Sequence, residues 1–267
     1  TMYERYWKLR EKPFRNAPDP RYLYFSREHE EALTRMLYAV AENQGAMLFT
    51  GAVGAGKTLL SRVLVDQLDP ERFDMAYIDH PSLTDMEMLE EILRQFGYEV
   101  TNVGKPGLLQ LLREALERQR QAGRTTIILV DEAQLIDNGK TLEELRLLLN
   151  FQQTEGFGLT LILVGQPELR RIVEDIPQLH QRMSVRYHLD PLGKDEAHEY
   201  IRHRLTVAGS EQDIFTANAE KLIIQIAEGL PRRINSLADM ALLVGFGTKA
   251  PVIDDAIIRQ VASDMEL

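Results

Sequence analysis

The sequence contains no cysteine, so disulfides and thiolate metal sites are excluded outright and the core must hold the fold without covalent staples. Freedom from cysteine fits a reducing compartment. No apolar run approaches the roughly 20 residues needed to cross a bilayer as a helix. There is no basic excess either: 31 Lys and Arg face 41 Asp and Glu, for a net charge of −10. That is the wrong sign for a non-specific nucleic-acid binder, which must displace counterions along a phosphate backbone. Low-complexity segments, internal repeats and a Ser-His-Asp or nucleophile-elbow arrangement are also missing. The six histidines, His29, His80, His180, His188, His198 and His203, show no metal spacing on one helix face, and we read them as structural or surface residues. The segment from Thr1 to Arg15 is polar, aromatic and charged, unlike a signal peptide. Thr1 ahead of Met2 reads as a cloning remnant, which puts the natural start at Met2 and leaves the natural C-terminus open beyond Leu267.

What is present is ordinary globular material: 267 residues, 44% apolar and 27% charged, enough for one large domain or a core with a smaller lobe. A stretch rich in proline and aromatics (Pro13, Phe14, Pro18, Pro20, Tyr22, Tyr24, Phe25) ends at Ser26, which suits a helix N-cap, and a helix is expected over 27–43. Short apolar runs then alternate with amphipathic segments. Strands are expected at 46–50, 75–78, 125–130, 159–164 and 185–189, and helices at 56–68, 84–96, 107–121, 142–153 and 168–182. Continuously apolar strands fed by helices imply a parallel sheet covered on both faces. After Asp190-Pro191 only helices are expected, at 194–208, 216–228, 231–245 and 254–262. The reading is therefore a core over 1–190, N-terminal segment included, and a small all-helical lobe over 191–267.

Gly51-Ala52-Val53-Gly54-Ala55-Gly56-Lys57-Thr58 fits G-x-x-x-x-G-K-[ST], lies after a strand and opens a helix that continues through Leu59. The glycines let successive N–H groups turn inward onto phosphate oxygens, and the helix start aims its dipole at the same place. Lys57 adds a full positive charge for the β- and γ-phosphates, and the Thr58 hydroxyl suits Mg²⁺. ATP with Mg²⁺ is the expected ligand pair.

Ile127-Ile128-Leu129-Val130 runs into Asp131-Glu132. Ligands of a doubly wound sheet bind beyond the carboxyl ends of its strands. Asp131 is therefore the candidate for Mg²⁺, and Glu132 the candidate base that polarises an attacking water. The competing reading is a strand-end helix cap before Ala133; the phosphate loop upstream favours the site. Gln166, after the next strand-like run, is a candidate contact to the γ-phosphate or the water, against a plain loop glutamine before Pro167. Charge on a transferring phosphoryl group calls for arginine. Arg182 and Arg186 flank the last strand, and Arg232 and Arg233 begin a helix where the dipole disfavours them. Of these we favour Arg182 and Arg232.

These motifs, in this order, resemble the ATPase domain of the general secretion pathway protein A family, within the AAA+ class of P-loop NTPases. The resemblance runs through Lys12-Pro13-Phe14, Asp19-Pro20-Arg21-Tyr22, the phosphate loop, Asp131-Glu132-Ala133-Gln134, Gly165-Gln166-Pro167, Gln181-Arg182, Tyr200-Ile201 and Pro231-Arg232-Arg233-Ile234-Asn235. It implies an α/β core with a five-stranded parallel sheet of order 5-1-4-3-2, helices on both faces and a helical C-terminal lid. It implies that Arg182 resembles an arginine finger, that Arg232 resembles the lid arginine, that Gln166 stands at a first polar sensor, and that aromatics near 22–26 cover the adenine. Two positions depart from the family: Ala55 stands where it often has Thr, and Leu135 where it often has Asn. Family members continue into a membrane span and a peptidoglycan-binding part. The expected function is a Mg-dependent ATP hydrolase that drives assembly of a secretion, pilus or envelope complex. It would work as a homo-oligomer, ring-like, in the cytoplasm or at the cytoplasmic face of the inner membrane, with membrane association through a partner or a C-terminal part. A DNA-associated ATPase of transposon target-selection type and a nucleotide-gated scaffold are the alternatives, and nucleic acid is not favoured as a partner.

Overall fold

The computed structural model describes residues 2–17, 19–136, 139–156 and 158–266. Thr1, Pro18 and Leu267, on which the sequence reading touched, lie outside the described residues. The chain divides into two compact units: residues 29–51 with 57–189, and residues 1–28 with 52–56 and 190–267.

The first unit is built on five parallel strands in the order β2-β3-β4-β1-β5. This is the expected order read from its other edge. The strands are β1 (Ala46–Gly51), β2 (Phe73–Ile78), β3 (Thr125–Val130), β4 (Leu159–Gly165) and β5 (Met183–Leu189). β1 and β4 are buried along their whole length and β3 from its second residue on, whereas the edge strands β2 and β5 are partly exposed. Position explains the difference in sequence: the central parallel strands are uncharged and mostly apolar, while β5 alternates with Ser184, Arg186 and His188 outward. Leu48, Ile128, Val130, Leu161 and Leu163 share one core cluster, and residues of opposite parity, Met47, Phe49, Leu129 and Ile162, are buried too, so helices cover both faces.

Those helices are α1 (Arg27–Ala41), α2 (Lys57–Gln67), α3 (Asp85–Gln95), α4 (Lys105–Gln121), α5 (Gly139–Glu155), α6 (Glu168–Glu174) and α7 (Pro177–Arg182). A capping box between Thr84 and Glu87 starts α3. The single helix expected over 168–182 is two. Pro177 removes an N–H and restricts Ile176 before it, so α6 stops and α7 restarts at the proline. Lys105 ties α4 to both neighbours, donating to Asp85 at 2.8 Å and to Glu144 at 2.6 Å.

The second unit holds α8 (Lys194–Val207), α9 (Ala217–Ala227), α10 (Pro231–Gly247) and α11 (Asp255–Asp264), with one isolated parallel bridge, Phe215 to Ile253, where no β-structure was expected. The sequence reading kept residues 1–28 with the sheet, but their contacts lie in this unit. Tyr3, Trp7, Phe14 and Tyr22 are buried in the same cluster as Ile201, Leu237 and Ile258. Trp7 Nε1–H donates to the Leu242 carbonyl at 2.9 Å. A Cβ on Gly245 would come within 2.8 Å of the Trp7 ring, so this glycine makes room for the indole. Arg204, on α8, fastens the segment by donating to the carbonyls of Pro13 at 2.6 Å and Arg15 at 2.9 Å.

Candidate active site

β1 delivers its last residue, Gly51, against β5: a Cβ there would stand 2.9 Å from the Leu189 carbonyl oxygen and 3.1 Å from Leu189 Cβ. Only glycine lets the two strand ends approach this closely. α2 begins at Lys57, which is buried, and its Nζ donates to the Gly51 carbonyl at 2.8 Å. The ammonium is thus folded back onto the end of β1. Thr58 is exposed and Leu59 half-buried.

The intervening residues 52–56 group with the helical unit. Gly54 and Gly56 take φ +80° and +112°, conformations that other residues adopt only under strain. Between them Ala55, whose N–H donates to the Ala52 carbonyl at 3.2 Å, is buried and not left-handed, so the methyl where the family often has Thr sits without cost. Arg232 packs directly on Gly54. Its backbone N–H donates to the Gly54 carbonyl at 3.3 Å, and a Cβ on Gly54 would lie 2.6 Å from Arg232 Cβ. Arg233 instead pairs with Glu228 at 2.8 Å.

In the sheet unit, β3 ends at Val130 and the chain turns sharply. Asp131 is 2% exposed. One of its carboxylate oxygens accepts from the Glu132 N–H at 2.8 Å and the other from the Tyr77 hydroxyl at 3.1 Å. Burial, then the Asp131 charge, push the Tyr77 hydroxyl far above its ordinary range, so it stays a neutral donor. Both partners of Asp131 are neutral, and no ion pair balances its charge among the described residues. Glu132 takes the left-handed conformation, φ 51°, costly for a residue with a Cβ. Its carboxylate accepts from Gln134 Nε2 at 2.6 Å, and Gln134 Oε1 accepts from the Gln166 N–H, at the end of β4, at 3.0 Å.

β4 lies between β3 and β1 in a wholly parallel sheet. Asp131, Glu132 and Gln166 therefore emerge at the same carboxyl edge from which Gly51 leaves. Arg182 closes α7 and donates to Asn150 at 3.0 Å. Arg186 does not point into this network: it donates to the carbonyls of Met183 and His180, closing its own turn. Of the aromatics near 22–26, Tyr22 lies under Arg204, at 4.7 Å from ring centre to guanidinium, and Tyr24 packs on Tyr200 and His203, whereas Phe25 is 36% exposed. The histidines take up local partners, His188 with Thr50 and His198 with Glu220.

Sequence reasoning did not pick out Tyr77 or assign Gln134 a role. The signal for Gln134 was its place in the Asp131–Gln134 motif; Tyr77 carried none, because its meaning depends on β2 lying beside β3. A carboxylate held by neutral donors and a hydroxyl on α2 are hard oxygen donors of the kind a small hard cation takes. Asp131 and Thr58 are the residues that would hold Mg²⁺.

A family model described as an AAA domain matches residues 40–173. The chain is 41% identical over 248 residues to General secretion pathway protein A of Aeromonas hydrophila; the match covers 92% of this chain but 45% of that protein, so the chain spans less than half its length. Among solved structures, the ADP form of the Aeropyrum pernix ORC2 protein superposes with a TM-score of 0.70 at 21% identity, over 96% of this chain and 72% of that one. Cdc6p from Pyrobaculum aerophilum gives 0.72 at 16% identity, over 93% and 71%. Identities this low speak to the fold alone.

Proposed function

The chain belongs to the AAA domain family, and from that premise we propose that it binds ATP with Mg²⁺ on Gly51–Thr58 and hydrolyses it, using the strokes of the cycle to assemble or remodel a secretion or envelope complex. The observation that carries the hydrolysis reading is the pairing, at one edge of one sheet, of a buried lysine after a glycine loop with a buried carboxylate followed by a strained glutamate. Lys57 and the loop N–H groups neutralise phosphate charge. When bound, Mg²⁺, held by Thr58 and Asp131, would neutralise negative charge on the phosphates. Glu132 takes a proton from water as that water attacks the γ-phosphorus, the bond to the β–γ bridging oxygen breaks and ADP leaves, and Gln166 orients the same water or the γ-phosphate. Arg232, packed on the loop glycine, steadies the phosphates.

Arg182 is assigned to the nucleotide of a neighbouring copy, which makes the active form a homo-oligomer of ring type. Support comes from its place at the end of a short helix and its hold, among the described residues, by one neutral side chain, weaker than the ion pair that anchors Arg146 to Glu143. The secretion role rests on the 41% identical relative and extends to this chain as a proposal. Among the described residues no helix is long and apolar enough to cross a membrane; membrane association through a partner or a C-terminal part remains part of the reading.

ATP turnover measured against protein concentration tests it. Specific activity is expected to rise with assembly. Lys57→Ala is expected to abolish nucleotide binding, Glu132→Gln to trap bound ATP, and Arg182→Ala to slow turnover without weakening binding. Wild-type turnover in Glu132→Gln sinks the assigned base, and phosphate release at background with ATP still promoting assembly would leave a scaffold. Titration with duplex DNA at low salt is expected to be flat, in keeping with the net charge of −10.

A further inference from the structure

Gln134 holds one end of its amide on Glu132 and the other on the backbone of Gln166. A carboxylate only accepts and a backbone N–H only donates, so the amide can face them in one sense alone: nitrogen to Glu132, oxygen to Gln166. The bridge is fitted on its far side as well. A Cβ on Gly165 would lie 2.4 Å from Gln134 Oε1 and 2.8 Å from Leu169 Cδ2, so the end of β4 has no room for any other residue while the amide is in place. Gly165 is not left-handed, so the demand for glycine here is steric. The bridge also spans the one strained turn of the edge, between Glu132 at φ 51° and the 3₁₀ turn Ala133–Leu135.

From this we infer that Gln134 is a positioning residue that latches the Glu132 carboxylate to the end of β4, so that a displacement of Gln166 is transmitted to the base through one side chain. The inference rests on Glu132 being the base. The two strand ends are otherwise joined by the sheet ladder and by packing of the Ala133–Leu135 turn on β4 and α6. A side chain donating to one and accepting from the other makes the orientation of the base depend on the strand that carries the sensor position. Glutamine suits the task better than a charged residue. Its N–H fixes the carboxylate, and no second charge is brought beside Asp131 at the end of β3 or the neutral Tyr77 hydroxyl on β2.

The test compares Gln134→Leu, Gln134→Glu, Glu132→Gln and the double variant Glu132→Gln/Gln134→Leu in the whole chain, each checked for folding by thermal melting. In Gln134→Leu the base is no longer aimed. A drop in kcat of roughly 10- to 100-fold is expected, as for other lost outer supports, with ATP affinity unchanged within about twofold. In Gln134→Glu two carboxylates face each other, and the acid limb of the pH–rate profile is expected to move up by about one unit, because like charges at a shared site resist joint ionisation. The double variant is expected to be no slower than Glu132→Gln alone.

Wild-type kcat with an unmoved acid limb in both Gln134 variants overturns the latch. So does a double variant slowed by the full Gln134→Leu factor, since Gln134 would then act elsewhere. If Gln134→Leu does not fold, the pH profile of Gln134→Glu decides. Wild-type turnover in Glu132→Gln is a different failure: it removes the base itself, and the latch with it.

Discussion

Each unit buries a charge, and the two are held in opposite ways. In the helical unit Arg204 is 6% exposed, and each of its three nitrogens donates to a fixed acceptor: Nε to the Pro13 carbonyl, Nη2 to the Arg15 carbonyl and Nη1 to the Tyr200 hydroxyl. Its plane also lies over the Tyr22 ring. In the sheet unit Asp131 is 2% exposed and each oxygen accepts one bond from a neutral donor, about half of the roughly four acceptor sites a carboxylate offers. The residue after it is strained, whereas Arg204 sits within a regular helix. A buried charge with an acceptor on each of its nitrogens is a fastener. A buried charge left half satisfied beside a strained turn is a site kept ready for a ligand, at some expense in stability.

The largest effect that sharpens this contrast is expected in Asp131→Asn. The asparagine keeps an acceptor for the Glu132 N–H and loses the charge. Mg-dependent turnover should fall by a hundredfold or more, as for a lost charge-assisted contact of about 3 kcal/mol. Stability by urea denaturation should be unchanged or higher. A matching loss of stability would make Asp131 a fastener like Arg204.

Arg204→Lys is the mirror experiment. The charge stays, but a single ammonium replaces a planar fork, and at least one carbonyl of the N-terminal segment loses its donor. Stability is expected to fall by about 2 kcal/mol, while turnover per folded molecule stays within about twofold. Loss of turnover at unchanged stability would break the comparison from the other side.

How far the chain could be read in advance divides along the same line. β3 spans 125–130 as its β-branched run indicated, and the phosphate loop lies where motif and periodicity put it, because strand burial and tight glycine turns are local demands. The break at Pro177 was equally local and was legible in principle, since proline and the residue before it both resist helix continuation. The destination of residues 1–28 was not legible. Tyr3, Trp7 and Phe14 announce that they must be buried, but nothing nearby in sequence says against which partners, such as the Leu242 carbonyl that Trp7 meets 235 residues along the chain. The site divides likewise. Asp131 and Glu132 are written into one strand end. Tyr77 and Gln134 have meaning only once β2 and β4 flank β3, an arrangement that the resemblance implied and residue patterns alone did not.

A half-buried acid, Asp74, probes where along a strand the rule applies. Asp74 lies near the start of β2, away from the carboxyl edge, and its carboxylate accepts from Gln119 Nε2 on α4. Burial raises its pKa above the ordinary value of 3.8, partly offset by the Arg124 charge and the Met75 N–H. An acid whose pKa is higher folded than unfolded stabilises the fold most when protonated; that contribution is complete below the unfolded pKa and is lost as pH rises through the folded one. At neutral pH Asp74 is therefore a cost. Gln119 Oε1 is buried with no partner, and an asparagine amide at position 74 could donate to it. Asp74→Asn is expected to raise stability at pH 7 by up to about 1 kcal/mol, with the gain fading as pH approaches 4. Thermal melting at several pH values reads the gain directly. Turnover should not change, because at the amino end of a strand a half-satisfied acid faces no ligand edge. A stabilised but inactive Asp74→Asn would show that burial with unmet bonding marks function wherever it occurs in the sheet, and the distinction between strand ends would have to be given up.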